Sequence, residues 1–235
     1  MRLPVLDPRH PVFPPPQRAA RKPNGLLAAG GNLGPDTLLA AYRQGIFPWF
    51  EPGQPLLWWS PDPRAVIPPG QVHVSRSMAR QGRRGGYRIT SDQAFGAVIR
   101  RCAAPRRGSS GTWIGPEMIA AYEALHTAGH AHSVECWMDG ELAGGLYGVA
   151  VGSVFSGESM FSVRPNASKL ALIRLGRALA EAGFALIDCQ IPNPHLSAMG
   201  AVEIPRARFL AVLRQGLEHP PPAWPEAALS GMVDT

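Results

Sequence analysis

The segment SVECWMDGELAGGLYGVAVGSVFSGESMF, residues 133–161, limits the possible folds more than any other part of the sequence. Its strand-like residues form three runs, which Asp139-Gly140 and the triplet Val151-Gly152-Ser153 separate. Asp-Gly is a strong signal for a two-residue hairpin turn, and a glycine between two strand-like runs indicates another turn. We therefore expect three consecutive antiparallel strands, and such a sheet needs further elements to cover its apolar face.

Strand-like and helix-like segments alternate on both sides of these three strands. We expect further strands at RAVIP, YRITS and ALIDCQI. We expect helices at SDQAFGAVIRRCA, PEMIAAYEALHTAG, NASKLALIRLGRALAEAGF and RARFLAVLRQGL. Pro116 suits the first position of the second of these helices, and Gly129 follows its end. The pattern predicts a mixed α/β fold, with a mostly antiparallel sheet and helices on its faces.

Residues 1–62 differ from the rest because prolines and aromatic residues are dense there. One helix is expected, at DTLLAAYRQG, with Asp36 as its N-cap. Tryptophans 49, 58 and 59 are expected to act as core or interface anchors. We predict a small N-terminal domain at 1–62 and a larger domain at 63–235. With 45% hydrophobic and 17% charged residues, the chain is not a disordered protein.

The positive charge of the chain is concentrated in residues 76–107, where nine arginines are opposed by Asp92 alone. This segment carries +8, so the rest of the chain, given the overall +6, carries −2. The arginines are Arg76, Arg80, Arg83, Arg84, Arg88, Arg100, Arg101, Arg106 and Arg107. We expect a helix that Ser75 caps and Gly85-Gly86 ends. One face of that helix would carry an arginine stripe, consisting of Arg76, Arg80, Arg83 and Arg84.

Four like charges on one helix face repel each other unless an anion lies against them, and a phosphate backbone supplies such an anion. We therefore favour a nucleic acid as the partner of this face. The alternative is a solvated face in an arginine-rich protein. An acidic membrane surface fits less well, because the opposite face of the helix is not strongly apolar.

Three side chains have a chemistry that a strand interior does not explain. Asp188 and Gln190 would project from the same face of the ALIDCQI strand, since side chains alternate along a strand. The pair is either a hydrogen-bonded structural element or a site. Glu158 lies among small and apolar residues. It is either a surface acid on an edge strand or a buried acid that faces a cation or an amine.

Other motifs in the sequence are expected to have structural roles and not to bind a metal or ATP. Asn166 and Ser168 open a helix and are expected to cap it, although Lys169 adds an anion-friendly charge. The three histidines His126, His130 and His132 have no matching acid or cysteine cluster nearby in sequence, so no metal site is expected. The glycines at 30–34 lack the Gly-Lys-Ser/Thr ending of an ATP-binding loop.

The three cysteines are widely spaced, which favours reduced thiols over disulfides. The sequence has neither an apolar run of about 18 residues nor an apolar signal segment at its start. A cytoplasmic protein is therefore expected.

The sequence resembles the leucyl/phenylalanyl-tRNA protein transferase family over nearly its whole length. The blocks that carry the resemblance, in order, are GLLAAGGNLGPDTLLAAYRQGIFPWF, WWSPDPRAVI, GTWIGPEM, GHAHSVECW, GGLYGV, FSGESMFS, NASKLAL and IDCQ with HLSAMGAVEIPR. The resemblance implies a small N-terminal domain and a C-terminal domain like that of the GNAT N-acetyltransferases. It also implies transfer of Leu or Phe, less readily Met, from aminoacyl-tRNA to proteins that begin with Arg or Lys. This transfer marks those proteins for N-degron proteolysis, and it needs no ATP, metal or coenzyme.

The same resemblance implies roles for individual residues. Asp188 and Gln190 match the catalytic pair. Gln190 would orient the acceptor α-amine and act as a relay during its attack on the ester carbonyl, while Asp188 supports Gln190. Glu158 would recognise an amino group. The arginine stripe matches a helix that contacts tRNA. The residues that match the aminoacyl pocket are Trp49, Trp113, Leu146, Phe155, Met160, Leu175 and Leu179.

We expect this transferase to be a monomer. Two other functions remain open. A coenzyme-A-dependent N-acetyltransferase is disfavoured, because Arg174-Leu175-Gly176-Arg177 does not complete the pyrophosphate-binding loop of that superfamily. A non-catalytic RNA-binding protein would need only the basic segment, and Asp188 and Gln190 would then be structural.

Overall fold

In a computed structural model of the protein, residues 3–105 and 112–230 are described. The strands are β1 (Val5–Leu6), β2 (Leu26–Gly30), β3 (Phe47–Pro48), β4 (Leu57–Trp59), β5 (Arg64–Ile67), β6 (Arg88–Ser91), β7 (Ala131–Met138), β8 (Glu141–Val151), β9 (Val154–Ser162), β10 (Leu186–Gln190) and β11 (Val202–Ile204). The helices are α1 (Pro35–Tyr42), α2 (Arg76–Arg84), α3 (Phe95–Ala103), α4 (Pro116–Thr127), α5 (Ala167–Glu181), α6 (Pro194–Ala198), α7 (Arg206–Leu217) and α8 (Glu226–Leu229). Arg106 and Arg107 of the basic segment lie outside the described residues.

The strands form two sheets. The first has the order β1-β2-β4-β3, and the second has the order β11-β5-β10-β9-β8-β7-β6. In the second sheet β9 and β10 pair in parallel, and the other neighbours pair antiparallel. The predicted mixed α/β class with a mostly antiparallel sheet is therefore confirmed.

The three-strand prediction for residues 133–161 is also confirmed, by β7, β8 and β9. Asp139 and Gly140, which join β7 to β8, both have positive φ, at 53° and 79°. This is the backbone that a tight hairpin turn with right-handed strand twist requires, and Asp-Gly adopts it readily. Gly152 joins β8 to β9 with a φ of 56°.

Two apolar clusters cover the two faces of the larger sheet. One cluster holds buried residues of α3, α4 and α7 and extends into α1 and the first sheet. The other cluster holds buried residues of α2, α5 and α8. The first sheet lies before residue 62 and the second after residue 63. The division into domains at that point stays a prediction, and one apolar cluster runs across it.

Two capping predictions are wrong. Helix α1 has Gly34 as its N-cap, because Pro35 takes the first helical position, where its missing N–H costs nothing. Asn166 precedes α5 but makes no capping hydrogen bond. Its backbone is left-handed, and its side-chain amide donates instead to Gln81 Oε1 of α2, at 2.8 Å. The Oγ atom of Ser162 accepts from the Ser168 N–H.

None of the helices in the two described ranges combines the length and the apolar character that crossing a bilayer would require.

Candidate active site

A buried ion pair joins β5 to β10. Arg64 Nε donates to Asp188 Oδ1 at 2.8 Å, and Arg64 Nη2 donates to Asp188 Oδ2 at 2.7 Å. The two side chains are 1% and 0% exposed. Arg64 Nη1 also donates to the Gly45 carbonyl, and the guanidinium lies over the rings of Phe47 and Phe209. A planar guanidinium with two parallel hydrogen bonds compensates a buried carboxylate well.

Asp188 also holds the backbone of Gln190. The Gln190 N–H donates to Asp188 Oδ1 at 2.9 Å, at a point where the pairing of β10 with β5 shifts register. Gln190 has a φ of 63°, in the left-handed region. A residue other than glycine in that region costs about 1–3 kcal/mol and persists only where its surroundings hold it there. The strand end is therefore a strained position that the Arg64–Asp188 pair supports.

The side chain of Gln190 is held by Glu158 of β9. Gln190 Nε2 donates to Glu158 Oε1 at 2.7 Å. Tyr42 of α1 donates to the same oxygen at 2.8 Å, and Tyr122 of α4 donates to Oε2 at 3.0 Å. The two tyrosine oxygens also lie within hydrogen-bonding distance of each other. Each phenol has one proton, so a bond between them requires either that one phenol gives up its bond to Glu158 or that Glu158 is protonated. Oε1 of the Gln190 amide accepts no hydrogen bond from the described part of the chain.

Burial dominates the electrostatics of this cluster. It raises the pKa of Glu158 to about 7, and the charge of Asp188 adds to the rise, while the hydrogen bonds from Tyr42, Tyr122 and Gln190 oppose it. Burial also raises the pKa of Tyr42 and of Tyr122 well above the usual range, and the nearby Glu158 adds to this. Both phenols therefore stay protonated as donors, while Glu158 changes its charge near neutral pH.

Glu158 and Gln190 line a cavity of about 910 Å³. Six of the seven residues predicted for the aminoacyl pocket line it too: Trp49, Trp113, Leu146, Phe155, Met160 and Leu175. Leu179 is not in the lining. It lies one turn after Leu175 on α5 and is fully buried in the core between that helix and the sheet. Trp49, at 41% exposed, contributes to the lining together with the exposed residues Val163 and Ile191.

Helix α2 carries the arginine stripe, and all four of its arginines are exposed. The Ser75 side chain accepts from the Met78 N–H at 3.3 Å, so the predicted N-cap is confirmed. Met78 and Gly82 are buried on the opposite side of α2, and Met78 belongs to the apolar cluster that also holds α5. Because the apolar side packs on the protein, the four charges face outward.

Two of the three histidines border the same carboxylate, and His126 Nδ1 lies 3.8 Å from Asp92 Oδ1. His132 Nδ1 lies 2.7 Å from Asp92 Oδ2, and His126 Nδ1 lies 2.8 Å from the Ala131 carbonyl oxygen. Across residues 3–105 and 112–230, no group of three or more histidine, cysteine or acidic side chains is placed to hold a metal ion.

Comparison with known proteins decides the family. The family described as leucyl/phenylalanyl-tRNA protein transferase matches residues 66–214, and its N-terminal domain matches residues 31–62. A leucyl/phenylalanyl-tRNA protein transferase of Thiobacillus denitrificans is 56% identical over 90% of this chain and 94% of its own length. One of Alkalilimnicola ehrlichii is 58% identical over 91% of this chain and 83% of its own length. This chain belongs to the leucyl/phenylalanyl-tRNA protein transferase family.

Members of this transferase family move an aminoacyl group to the N-terminal residue of proteins.

Similar solved structures include a GCN5-related N-acetyltransferase from Kribbella flavida, with a TM-score of 0.37 and 12% identity, over 69% of this chain and 58% of that one. A second is L-PGS from Bacillus licheniformis, with a TM-score of 0.40 and 13% identity, over 72% of this chain and 54% of that one.

Sequence reasoning missed three residues that the transferase places at the centre of the site: Arg64, Tyr42 and Tyr122. Arg64 had a signal, because a cation stands at the start of the otherwise apolar strand RAVIP. Such a residue needs a buried partner. Tyr42 and Tyr122 had none, because a tyrosine within an apolar helix is an ordinary core residue.

Proposed function

We propose that this chain transfers Leu or Phe, and less readily Met, from aminoacyl-tRNA to proteins whose N-terminal residue is Arg or Lys, marking them for N-degron proteolysis. Family membership supports the transferase reaction. The observation that carries the site assignment is the geometry of Gln190. Its backbone is left-handed and is held by Asp188, its side chain is held by Glu158, and it lies on the wall of a cavity of about 910 Å³. That volume suits an aminoacyl group and its neighbouring nucleoside.

The reaction joins an amine to an ester. The α-amine nitrogen of the acceptor attacks the ester carbonyl carbon, a C–N bond forms, and the C–O bond to the terminal ribose breaks. The nitrogen loses a proton and the ribose oxygen gains one. An α-amine has a pKa of about 7.7–8.0, so part of it is neutral at pH 7. The energy comes from the ester, and no ATP, metal or coenzyme enters the balance.

Gln190 orients the attacking amine. Because Nε2 is committed to Glu158, the carbonyl oxygen of the amide is available to accept an N–H of the acceptor. An amide is too weak a base to remove the proton, so its contribution is alignment of the amine with the ester. Asp188, paired with Arg64, supports Gln190 through its backbone and stays away from the reacting atoms.

Glu158 supplies negative charge for the acceptor amino group. Two tyrosines and Gln190 occupy part of its hydrogen-bonding capacity, and an ionised carboxylate can accept about four hydrogen bonds. With its pKa raised to about 7, Glu158 can also take up the proton that an ammonium releases near neutral pH.

The donor side chain occupies the apolar part of the cavity, whose walls include Leu146, Phe155 and Leu175. An apolar pocket distinguishes side chains by about 1–3 kcal/mol per methylene. Rejection of β-branched donors therefore depends on the shape of the pocket next to the ester.

The arginine stripe on α2 binds tRNA phosphates. The protein acts as a monomer in the cytoplasm.

A transfer assay tests this proposal. The purified protein is incubated with tRNA charged with labelled Leu, Phe, Met or Ile, and with peptides that begin with Arg, Lys or Ala. We expect product from Leu and Phe with Arg or Lys peptides, less from Met, and none from Ile or with the Ala peptide. Acetyl-coenzyme A is the control donor. Product from acetyl-coenzyme A but not from aminoacyl-tRNA would contradict the proposed function.

A further inference from the structure

We propose that the C-terminal segment of residues 219–229 is part of the donor-selecting apparatus, with Trp224 as a positioning residue that supports Phe155 from behind. This inference rests on the proposed function, since Phe155 lines the cavity that we assign to the donor side chain. The segment lies C-terminal to residues 66–214, the range that the family description matches.

Trp224 packs on the wall of the cavity. Its ring centroid lies 5.5 Å from that of Phe155, with the planes tilted by 31°, and 6.4 Å from that of Phe184, nearly edge-on. Phe155 itself is 1% exposed and contributes to the cavity lining. Phe155 thus stands between the cavity and a side chain of the C-terminal segment.

Phe155 has little freedom on its β8 side as well. A Cβ atom added to Gly148 would lie 2.6 Å from Phe155 Cζ and 2.2 Å from the Ser156 carbonyl oxygen. The absence of a side chain at Gly148 is therefore what makes room for the ring. With Gly148 on one side and Trp224 on another, the position of Phe155 follows from its packing.

Trp224 is itself held firmly. Its ring stacks on His132 at 4.0 Å with planes 10° apart, and its Nε1 donates to Ser91 Oγ at 2.8 Å. Asp92 Oδ2 in turn lies 2.7 Å from His132 Nδ1. Beyond Trp224, the fully buried Leu229 of α8 fastens the end of the segment.

Loss of the Trp224 ring would leave a void behind Phe155. The Phe155 ring could then move away from the cavity, which would deepen the donor pocket. A deeper pocket favours a larger side chain, so Phe gains relative to Leu. A difference of one or two methylene-sized groups changes selectivity by about tenfold.

The test compares the ratio of kcat/KM for Phe-tRNA to that for Leu-tRNA in wild type, Trp224→Phe and Trp224→Ala. We expect the ratio to rise in that order, by about tenfold for Trp224→Ala, with the larger part of the change in KM. Trp137→Ala is the matched control. Trp137 is also partly buried, on β7, and its Nε1 donates to Thr90, but it is outside the cavity lining.

A merely structural role for Trp224 would lower kcat/KM for both donors by the same factor, as in Trp137→Ala. A ratio that stays within about twofold of wild type, or that moves toward Leu, would overturn the proposal. If Trp224→Ala does not fold, Trp224→Phe and Trp224→Leu decide by the same criterion. Absence of transfer by the wild type would instead contradict the proposed function.

Discussion

The side-chain amide of Gln190 donates from Nε2 to Glu158 Oε1 at 2.7 Å, which links the end of β10 to β9. The backbone N–H of the same residue donates to Asp188 Oδ1. Two carboxylates therefore position Gln190. Glu158 holds its side chain, and Asp188 holds its backbone. The sequence places Asp188 beside Gln190 in the strand, but the contact of the Gln190 side chain is with Glu158.

Gln190→Ala removes the group that we assign to aligning the acceptor amine. We expect kcat for transfer of Leu to an Arg peptide to fall by about 10²-fold, because misplaced reactants lose on the order of that factor. Initial rates at saturating Leu-tRNA measure it. Gln215→Ala, at an exposed position on α7, is the control. A kcat within a few-fold of wild type in Gln190→Ala would contradict the role of Gln190.

Arg64→Ala leaves the Asp188 carboxylate buried without its partner. We expect the free energy of unfolding to fall by about 3–5 kcal/mol, as measured by denaturant titration. Arg100→Ala is the matched control, because Arg100 pairs with Glu123 at 2.8 Å but is 59% exposed. Exposed pairs contribute about 1 kcal/mol or less. Equal losses in the two variants would argue against a special role for the buried pair.

The stability of the protein should depend on pH through Glu158. Its pKa is raised from 4.5 to about 7 in the folded chain, so the folded state binds more protons than the unfolded state between these values. The corresponding stability is fully present below pH 4.5 and is lost as pH rises through 7. Relative to Glu158→Gln, the wild type should lose free energy of unfolding over this interval and change little above it. Parallel pH profiles of the two proteins would refute the assignment.

Tyr147→Phe tests a buried hydroxyl. The Tyr147 OH is buried and has no hydrogen-bond partner in the described residues. An unsatisfied buried donor costs about 1–3 kcal/mol. We expect Tyr147→Phe to raise the free energy of unfolding, by about 1 kcal/mol. Tyr122→Phe should lower it, because that hydroxyl donates to Glu158. Thermal melts of the two variants measure the difference in stability. A Tyr147→Phe variant less stable than the wild type would contradict the prediction, because it would show that the hydroxyl stabilises the fold.

Replacing the arginine stripe with alanine should weaken tRNA binding and reduce its dependence on salt. Each phosphate contact contributes about 0.7–0.9 to the slope of log Kobs against log salt, so four lost contacts should reduce the slope by about 3. The control is a variant with the same loss of charge at exposed arginines elsewhere, namely Arg9, Arg18, Arg21 and Arg43. Equal slopes in the two variants would refute the stripe as the tRNA contact.

The sequence by itself determined the elements whose signals are local. Asp139-Gly140 and Gly152 mark the turns of the three-strand meander, because few residues accept a positive φ. Ser75 and Gly85 bound the arginine helix through their capping chemistry, and its stripe follows from helical periodicity. Each of these features needs information from only a few neighbouring residues.

Only the tertiary structure decided which side chains meet. Arg64 and Asp188 are 124 positions apart in the sequence, and Tyr42 is 116 positions from Glu158. Their contacts depend on strand order, on the register shift at Gln190 and on the packing of α1 and α4 against the sheet. The contact of Trp224 with Phe155 depends likewise on how the C-terminal segment packs against β9. Such contacts arise from the packing of whole helices and strands, and local secondary-structure propensity does not predict them.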